Sequence, residues 1–277
     1  MNTEMNNFIQ TLHSEDGVHQ NTIISYRYDI LQFTSFLQKK KKNFKIILKK
    51  DILDFLENLK SKNLKNKTKS RKIFALKRFF KFLLSERIIN NNPMEKIDIP
   101  KSEDTLSITL SSEQIKKILE FVSSKTNNYQ DIRESLIVEL LYSTGIRVSE
   151  LISIKTNNID LNKNNILIDP PEKGKSRKER VVFFAEQTKK VIDKYLEYRK
   201  IHFKLKDSPW LFPSNNTDSF LTRRRVLQIL HKLADKINID KSLMHPHSFR
   251  HAFGNHLLNS GADIMVVQKL LGHSSII

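Results

Sequence analysis

The chain has 277 residues, of which 39% are hydrophobic, so it is long enough for one large or two ordinary globular domains. Its 48 Lys and Arg against 30 Asp and Glu give a net charge of +18, which favours a polyanionic partner, although Lys-rich usage can also reflect an AT-rich genome. The chain has no cysteine, which excludes disulfides and thiolate metal sites. It has no signal peptide and no apolar run near the ~18 residues of a membrane span, so we exclude membrane insertion and expect a cytoplasmic protein.

The first third of the chain shows the apolar period of α-helices. Hydrophobic residues recur every three or four positions over 23–37, 51–59 and 68–84, and the Asn90-Asn91-Asn92-Pro93 segment ends the pattern. Every charged residue between Lys60 and Glu86 is basic, which favours a helix with a polyanion on its outer face; a merely solvated basic face is the alternative. We therefore predict an all-helical domain over 1–98, with these candidate polyanion contacts: Lys67, Lys69, Arg71, Lys72 and Lys77.

Residues 99–107 have no period and are predicted to link this domain to a second one over 108–277. Ser111 and Gln114 fit a capping box that opens the first helix of the second domain. Further helices are predicted over 131–142, 188–201, 222–236, 247–258 and 262–271. The β-rich runs 166–168 and 180–184 predict a hairpin or the core of a three-stranded sheet. The expected fold class is mainly α, with a small antiparallel sheet in the second domain.

Two short motifs carry arginines suited to phosphate. Arg147 follows the Thr144-Gly145 turn at the start of a helix, where positive charge is unfavourable unless an anion is near. His247 and Arg250 stand three positions apart on a predicted helix, so they share a face, and the planar guanidinium matches phosphate oxygens. A later Gly-His pair ends at His273. Glu150 either orients Arg147 or forms an ordinary helix pair with it.

These motifs, in this order, resemble those of the tyrosine recombinases, the phage-integrase family, and within it the bacterial Xer type. The segment over 19–29 also resembles the opening of the Xer-type core-binding domain. The resemblance implies a SAM-like helical domain and a catalytic domain that hold double-stranded DNA, as a homo- or hetero-tetramer and without a cofactor. It implies a site-specific recombinase that cuts and rejoins DNA through a 3′-phosphotyrosine, with an Xer-like role in chromosome dimer resolution and segregation at cell division. A catalytically inactive DNA-binding relic, the integrase of a mobile element and a type IB topoisomerase are the alternatives.

The resemblance also implies roles for single residues. Arg147 and Arg250 would clamp the scissile phosphate, His247 would transfer a proton or donate a hydrogen bond, and His273 would be a further donor. Lys173 matches the hairpin lysine that protonates the leaving 5′ hydroxyl, although a neighbouring lysine would serve if the turn slips. The DNA contacts would be the α-helical candidates above together with Lys175, Arg177 and Lys178. We expect no metal site: His247 and His251 have the spacing of zinc ligands, but no Glu follows the first His and Arg250 would crowd a cation.

The family's nucleophile is a tyrosine about nine residues after the Gly-His pair, whereas the sequence ends at Ile277. The six tyrosines present all precede the His247-to-Arg250 motif, and covalent catalysis needs an activated nucleophile within reach. We therefore expect the 277-residue chain not to form a covalent DNA adduct.

Overall fold

The structure is a computed structural model that describes residues 2–14, 18, 20–60, 64, 66–99, 109–125, 127–169, 179–202, 208–214 and 219–272. Within these ranges the chain forms two compact units, one up to residue 99 and one from residue 109. Helices dominate both units and a three-stranded antiparallel sheet lies in the second, which confirms the predicted fold class. Across the described ranges no helix is both long and apolar enough to cross a bilayer.

The first unit is built from four helices, α1 (Asn2–Ser14), α2 (Gln20–Lys39), α3 (Lys49–Lys60) and α4 (Asn66–Ser85), with a 3-10 turn at Phe44–Ile46 between α2 and α3. Their apolar stripes meet in one core rich in phenylalanine. The Phe33 ring lies 4.9 Å from that of Phe55 and 5.9 Å from that of Phe80, both edge to face, an arrangement that aromatic quadrupoles favour. Helix α1 was not among the helices that we predicted from the sequence.

A buried ion pair joins α4 to α2 in this unit. The Asp29 carboxylate is 1% exposed, and Lys72 Nζ donates to its Oδ1 at 2.7 Å and to Gln32 Oε1 at 2.7 Å. Arg71 also donates to Asp29, and its Nη1 reaches Ser25 O at 3.3 Å. Because Lys72 is 5% exposed and neutralises a buried carboxylate, it is not available to a phosphate, which corrects our prediction of Lys72 as a DNA contact.

The second unit is organised around one buried helix. It contains α5 (Ser112–Ser124), α6 (Tyr129–Thr144), α7 (Val148–Ile152), α8 (Glu186–His202), α9 (Arg223–Ile237), α10 (Pro246–Asn259) and α11 (Ile264–Leu271). Helix α6 packs against α5, α8 and α10, and most of its side chains are buried. The predicted capping box of α5 is present, since Gln114 N donates to Ser111 Oγ at 3.2 Å and Ser111 N donates to Gln114 Oε1 at 2.9 Å.

The sheet is short and antiparallel throughout. Strands β1 (Ile159–Asp160), β2 (Asn165–Ile168) and β3 (Arg180–Phe183) pair in the order β1-β2-β3, the larger of the two predicted arrangements. Ile166 pairs with Val182, and both face the core. Ile168 pairs with Arg180, so the first residue of β3 follows directly from the register of the hairpin.

Candidate active site

A pocket of about 450 Å³ brings together three of the predicted site residues, Arg147, His247 and Arg250. Helices α10 and α11 supply most of its wall. The remaining lining residues are His251, Gly254, Asn255, Leu258, Ile264, Val267, Gln268 and Leu271. The other two predicted catalytic residues, Lys173 and His273, lie outside the described residues, as do the predicted DNA contacts Lys175, Arg177 and Lys178.

A glycine turn places Arg147 in this pocket. Helix α6 is followed by its C-cap residue Gly145, which has a left-handed φ of 60°. A Cβ atom at this position would lie 2.4 Å from Phe253 Cδ1 of α10, so only glycine lets the two helices approach this closely. The chain then turns into α7 with Arg147 as its N-cap residue. The end of α6 therefore sets both the approach of α10 and the position of the first arginine.

The two guanidinium groups converge on the end of α11. Arg250 is 7% exposed; its Nη1 donates to Gly145 O at 2.6 Å and its Nη2 donates to Leu271 O. Arg147 Nη2 donates to the next carbonyl, Gly272 O, at 3.1 Å. The carbonyls of Leu271 and Gly272 lie at the negative end of the α11 dipole. Two arginines that are about a hundred residues apart in sequence thus present their donors to adjacent acceptors.

Glu150, next to Arg147, also binds Arg180, a residue that the sequence suggested only as a possible DNA backbone contact. Glu150 is 5% exposed and accepts from Arg147 N at 2.8 Å and from Arg147 Nη1 at 3.2 Å. Arg180 at the start of β3 binds the same carboxylate through both terminal nitrogens, at 2.9 and 2.8 Å. Burial raises the pKa of the Glu150 carboxyl, but the hydrogen bonds from Arg180 and from the Arg147 backbone outweigh it, so the pKa falls to about 2. Glu150 is therefore ionised at neutral pH and fixes Arg147 from behind.

The two histidines at the start of α10 differ in their contacts. His245 is the N-cap residue, and its Nδ1 accepts from Ser248 N at 3.2 Å. His247 projects an exposed side chain into the pocket. Partial burial, the neighbouring histidines and the charges of Arg250 and Arg147 lower the pKa of His247. A lowered pKa leaves the imidazole mostly neutral at pH 7, with one nitrogen able to accept a proton.

The family comparisons agree with this arrangement. The model of the phage integrase family matches residues 109–277, and that of the phage integrase N-terminal SAM-like domain matches residues 5–87. The chain belongs to the phage integrase family. This chain is 38% identical over 277 residues to the tyrosine recombinase XerD of Rickettsia prowazekii (strain Madrid E). The match covers 97% of this chain and 88% of that protein. The chain is also 35% identical over 279 residues to the tyrosine recombinase XerC of Leptospira interrogans serogroup Icterohaemorrhagiae serovar copenhageni (strain Fiocruz L1-130), covering 100% and 86%.

A solved structure shares the fold. The XerH site-specific recombinase bound to palindromic difH substrate, in a post-cleavage complex, superposes with a TM-score of 0.76 at 22% identity, covering 91% of this chain and 73% of that one. Together with the relatives, the family assignment confirms an Xer-like site-specific tyrosine recombinase, an enzyme that acts on DNA.

The recombinase exposes several cations on α4. The side chain of Lys67 is exposed, and those of Lys69 and Lys77 are half-buried; none of the three has an ion-pair partner among the described residues. The Arg71 side chain is 40% exposed even though it binds Asp29.

In the ranges that the structure describes, no group of three or more His, Cys, Asp or Glu side chains could hold a metal ion.

Proposed function

We propose that the pocket holds the scissile phosphodiester of double-stranded DNA, with Arg147 and Arg250 donating to its nonbridging oxygens. The observation that carries the proposal is the convergence of both guanidiniums on the carbonyls of Leu271 and Gly272. A phosphorane transition state gathers negative charge on those oxygens, and donors fixed in advance stabilise it most. His247 donates a hydrogen bond or transfers a proton beside them.

The remaining roles rest on the family motifs. His273 adds a donor to the phosphate, and Lys173 protonates the leaving 5′ hydroxyl. DNA backbone contacts come from α4, through Lys67, Lys69, Arg71 and Lys77, and from the segment between β2 and β3, through Lys175, Arg177 and Lys178. The domains are 1–98 and 108–277, and 99–107 is the linker between them.

The recombinase acts in the cytoplasm as a homo- or hetero-tetramer on DNA and resolves chromosome dimers at cell division. Support comes from the XerD and XerC relatives, which are similar over nearly the whole chain. The XerH neighbour is bound to a palindromic site, and a palindrome offers equivalent half-sites to two subunits.

Salt-dependent DNA binding tests the phosphate site. A preferred duplex is first selected from a random library with the purified chain, and its affinity is measured by fluorescence anisotropy across a range of salt concentrations. We expect Arg147→Gln and Arg250→Gln each to weaken binding and to reduce the slope of log affinity against log salt by roughly 0.9, the value for one lost phosphate contact. Lys117→Gln, on the exposed face of α5, is the control for loss of a single charge. Unchanged slopes in both arginine variants would refute the site.

One observation favours the inactive DNA-binding alternative: no tyrosine occurs among the described residues that line the pocket. A nicked duplex carrying the selected site separates the two functions. A covalent protein–DNA adduct on a denaturing gel supports the recombinase, and specific binding without an adduct supports the alternative. The genomic position of the selected site separates chromosome dimer resolution from the integration of a mobile element, because an element carries the site at its own ends.

A further inference from the structure

A second pocket, of about 440 Å³, lies at the opposite end of α6 from Arg147. Its lining residues are Tyr129, Gln130, Arg133, His202, Pro213, Ser214, Leu221, Thr222 and Arg225. Arg133 precedes Thr144, the last residue of α6, by three turns of helix, which at ~1.5 Å per residue separates them by about 16 Å along the axis. None of its lining residues lines the active-site pocket. The two pockets are therefore separate sites.

Arg133 is a buried cation that forms no salt bridge with any described residue. Its side chain lies in this pocket, the residue is 8% exposed, and its Nε has no hydrogen-bond partner in the described part of the chain. Its guanidinium carbon lies 5.4 Å from the centre of the Tyr129 ring. A cation–π contact offsets only part of the cost of removing a guanidinium from water, so an anionic ligand in the pocket would be strongly favoured.

A second arginine of the lining, Arg225, lies at the start of a helix. Helix α9 begins here with three successive arginines, 223–225, after its N-cap residue Thr222. A helix N-terminus carries partial positive charge and unsatisfied N–H groups, so three cations there oppose the dipole unless an anion is bound. No acidic residue is among the described residues that line the pocket. Glu134, the residue after Arg133 on α6, lies outside the lining, and its carboxylate interacts electrostatically with both Lys236 of α9 and Arg133.

We propose that this pocket binds a phosphate group, held by Arg133, Arg225 and the first turn of α9. A phosphate offers several acceptor oxygens at tetrahedral angles, which suits two guanidiniums and a helix N-terminus together better than a planar carboxylate does. The phosphate belongs either to the DNA backbone at a distance from the scissile bond or to a free phosphorylated molecule. In the first case the site extends the DNA interface of the proposed function, and in the second it is independent of DNA.

The single tryptophan of the chain provides a local signal. The Trp210 ring lies 4.8 Å from that of Phe220, the neighbour of the lining residue Leu221. Inorganic phosphate is titrated into the full chain at constant ionic strength, with chloride as the reference anion. Trp210 emission and the midpoint of thermal unfolding are both recorded. We expect a saturable response in the wild-type chain.

Four variants assign that response to a site. It should survive in Arg147→Gln, which removes a donor of the active-site pocket, and in Lys117→Gln, which removes a charge elsewhere. It should weaken at least tenfold in Arg133→Gln and in Arg225→Gln. Because the side chain of Arg225 is exposed, Arg225→Gln decides the question even if Arg133→Gln does not fold. Phosphate curves for both pocket variants that match the wild type, or a wild-type response that does not saturate, would overturn the proposal.

DNA binding by the same variants distinguishes the two sources of phosphate. If the phosphate belongs to DNA, Arg225→Gln weakens duplex binding, lowers the salt slope by roughly 0.9, and inorganic phosphate competes with the duplex. If the phosphate belongs to a free molecule, duplex affinity stays unchanged while the phosphate response is lost. Failure of the active-site proposal would appear instead in the salt slope of Arg147→Gln, so the two proposals fail independently.

Discussion

Glu150→Gln tests the network that fixes Arg147. The pKa of Glu150 is about 2 in place of 4.5, which corresponds to roughly 3 kcal/mol of stability at neutral pH, since each tenfold change in proton affinity is about 1.4 kcal/mol. Because the folded-state pKa is depressed, this contribution is complete above the ordinary value of 4.5 and is lost as the pH falls through about 2. The wild-type second unit should therefore lose ~2 kcal/mol through this group between pH 7 and pH 3.

The glutamine variant cannot titrate at this position. At pH 7 it leaves Arg180 and Arg147 without their counter-charge and should cost about 3 kcal/mol, the lower end of the range for breaking a buried pair. Near pH 3 the difference from the wild type should shrink to roughly 1 kcal/mol.

Urea denaturation followed by Trp210 emission measures this difference, because the only tryptophan lies in the second unit. Glu120→Gln, an exposed position on α5, is the matched control and should follow the wild-type pH profile. A difference between the wild type and Glu150→Gln that stays constant from pH 7 to pH 3 would show that Glu150 is not the ionised partner of the two arginines.

Substitutions at four other positions have expected outcomes. Gly145→Ala should destabilise the second unit by about 2–4 kcal/mol in urea melts, since it combines a positive φ with a steric clash, and wild-type stability would contradict the close packing. Lys72→Met should cost the first unit about 3 kcal/mol, because it removes the buried partner of the Asp29 carboxylate and leaves only the contact from Arg71. Lys69→Gln should keep stability within ~0.5 kcal/mol and weaken DNA binding. Equal effects of the two variants on stability would contradict the burial of Lys72. Because a bound phosphate raises the lowered pKa of His247, DNA affinity should increase as the pH falls from about 7.5 to 5.5, and His247→Gln should flatten this dependence in anisotropy titrations.

The helices were predictable because their signals are local. An apolar residue at every third or fourth position identified α2, α3 and α4 without knowledge of their partners, and the capping box of α5 needed only four consecutive residues. Helix α1 has the same spacing in its buried residues Met5, Phe8 and Leu12, so its signal was present in the sequence. Helix α7 has five residues, too few for a period to show.

The side-chain partners were less predictable, because they depend on contacts between distant residues. Lys69 and Lys72 stand four positions before the buried residues Ile73 and Leu76 respectively, so their spacing on α4 does not single out Lys72 as the buried one. The counter-ion of Lys72, Asp29, is 43 residues away. Arg180 reaches Glu150 only because the hairpin register places it at the start of β3, and nothing in its local sequence distinguishes it from the other basic residues nearby.

These contacts explain how the fold holds the side chains of two arginines, a residue type that is usually exposed and mobile, in defined positions. Arg147 is held by Glu150 on one side and by the Gly272 carbonyl on the other, while Arg250 is held by the carbonyls of Gly145 and Leu271. An arginine normally loses considerable rotamer entropy when it binds a ligand, and here that loss has already occurred on folding. Hydrogen bonds from a guanidinium to phosphate oxygens are roughly twice as strong as those between neutral groups, so a phosphate would compete effectively for the donors that now bind the end of α11. Binding affinity at this pocket therefore depends on the fold as much as on the charge of its two arginines.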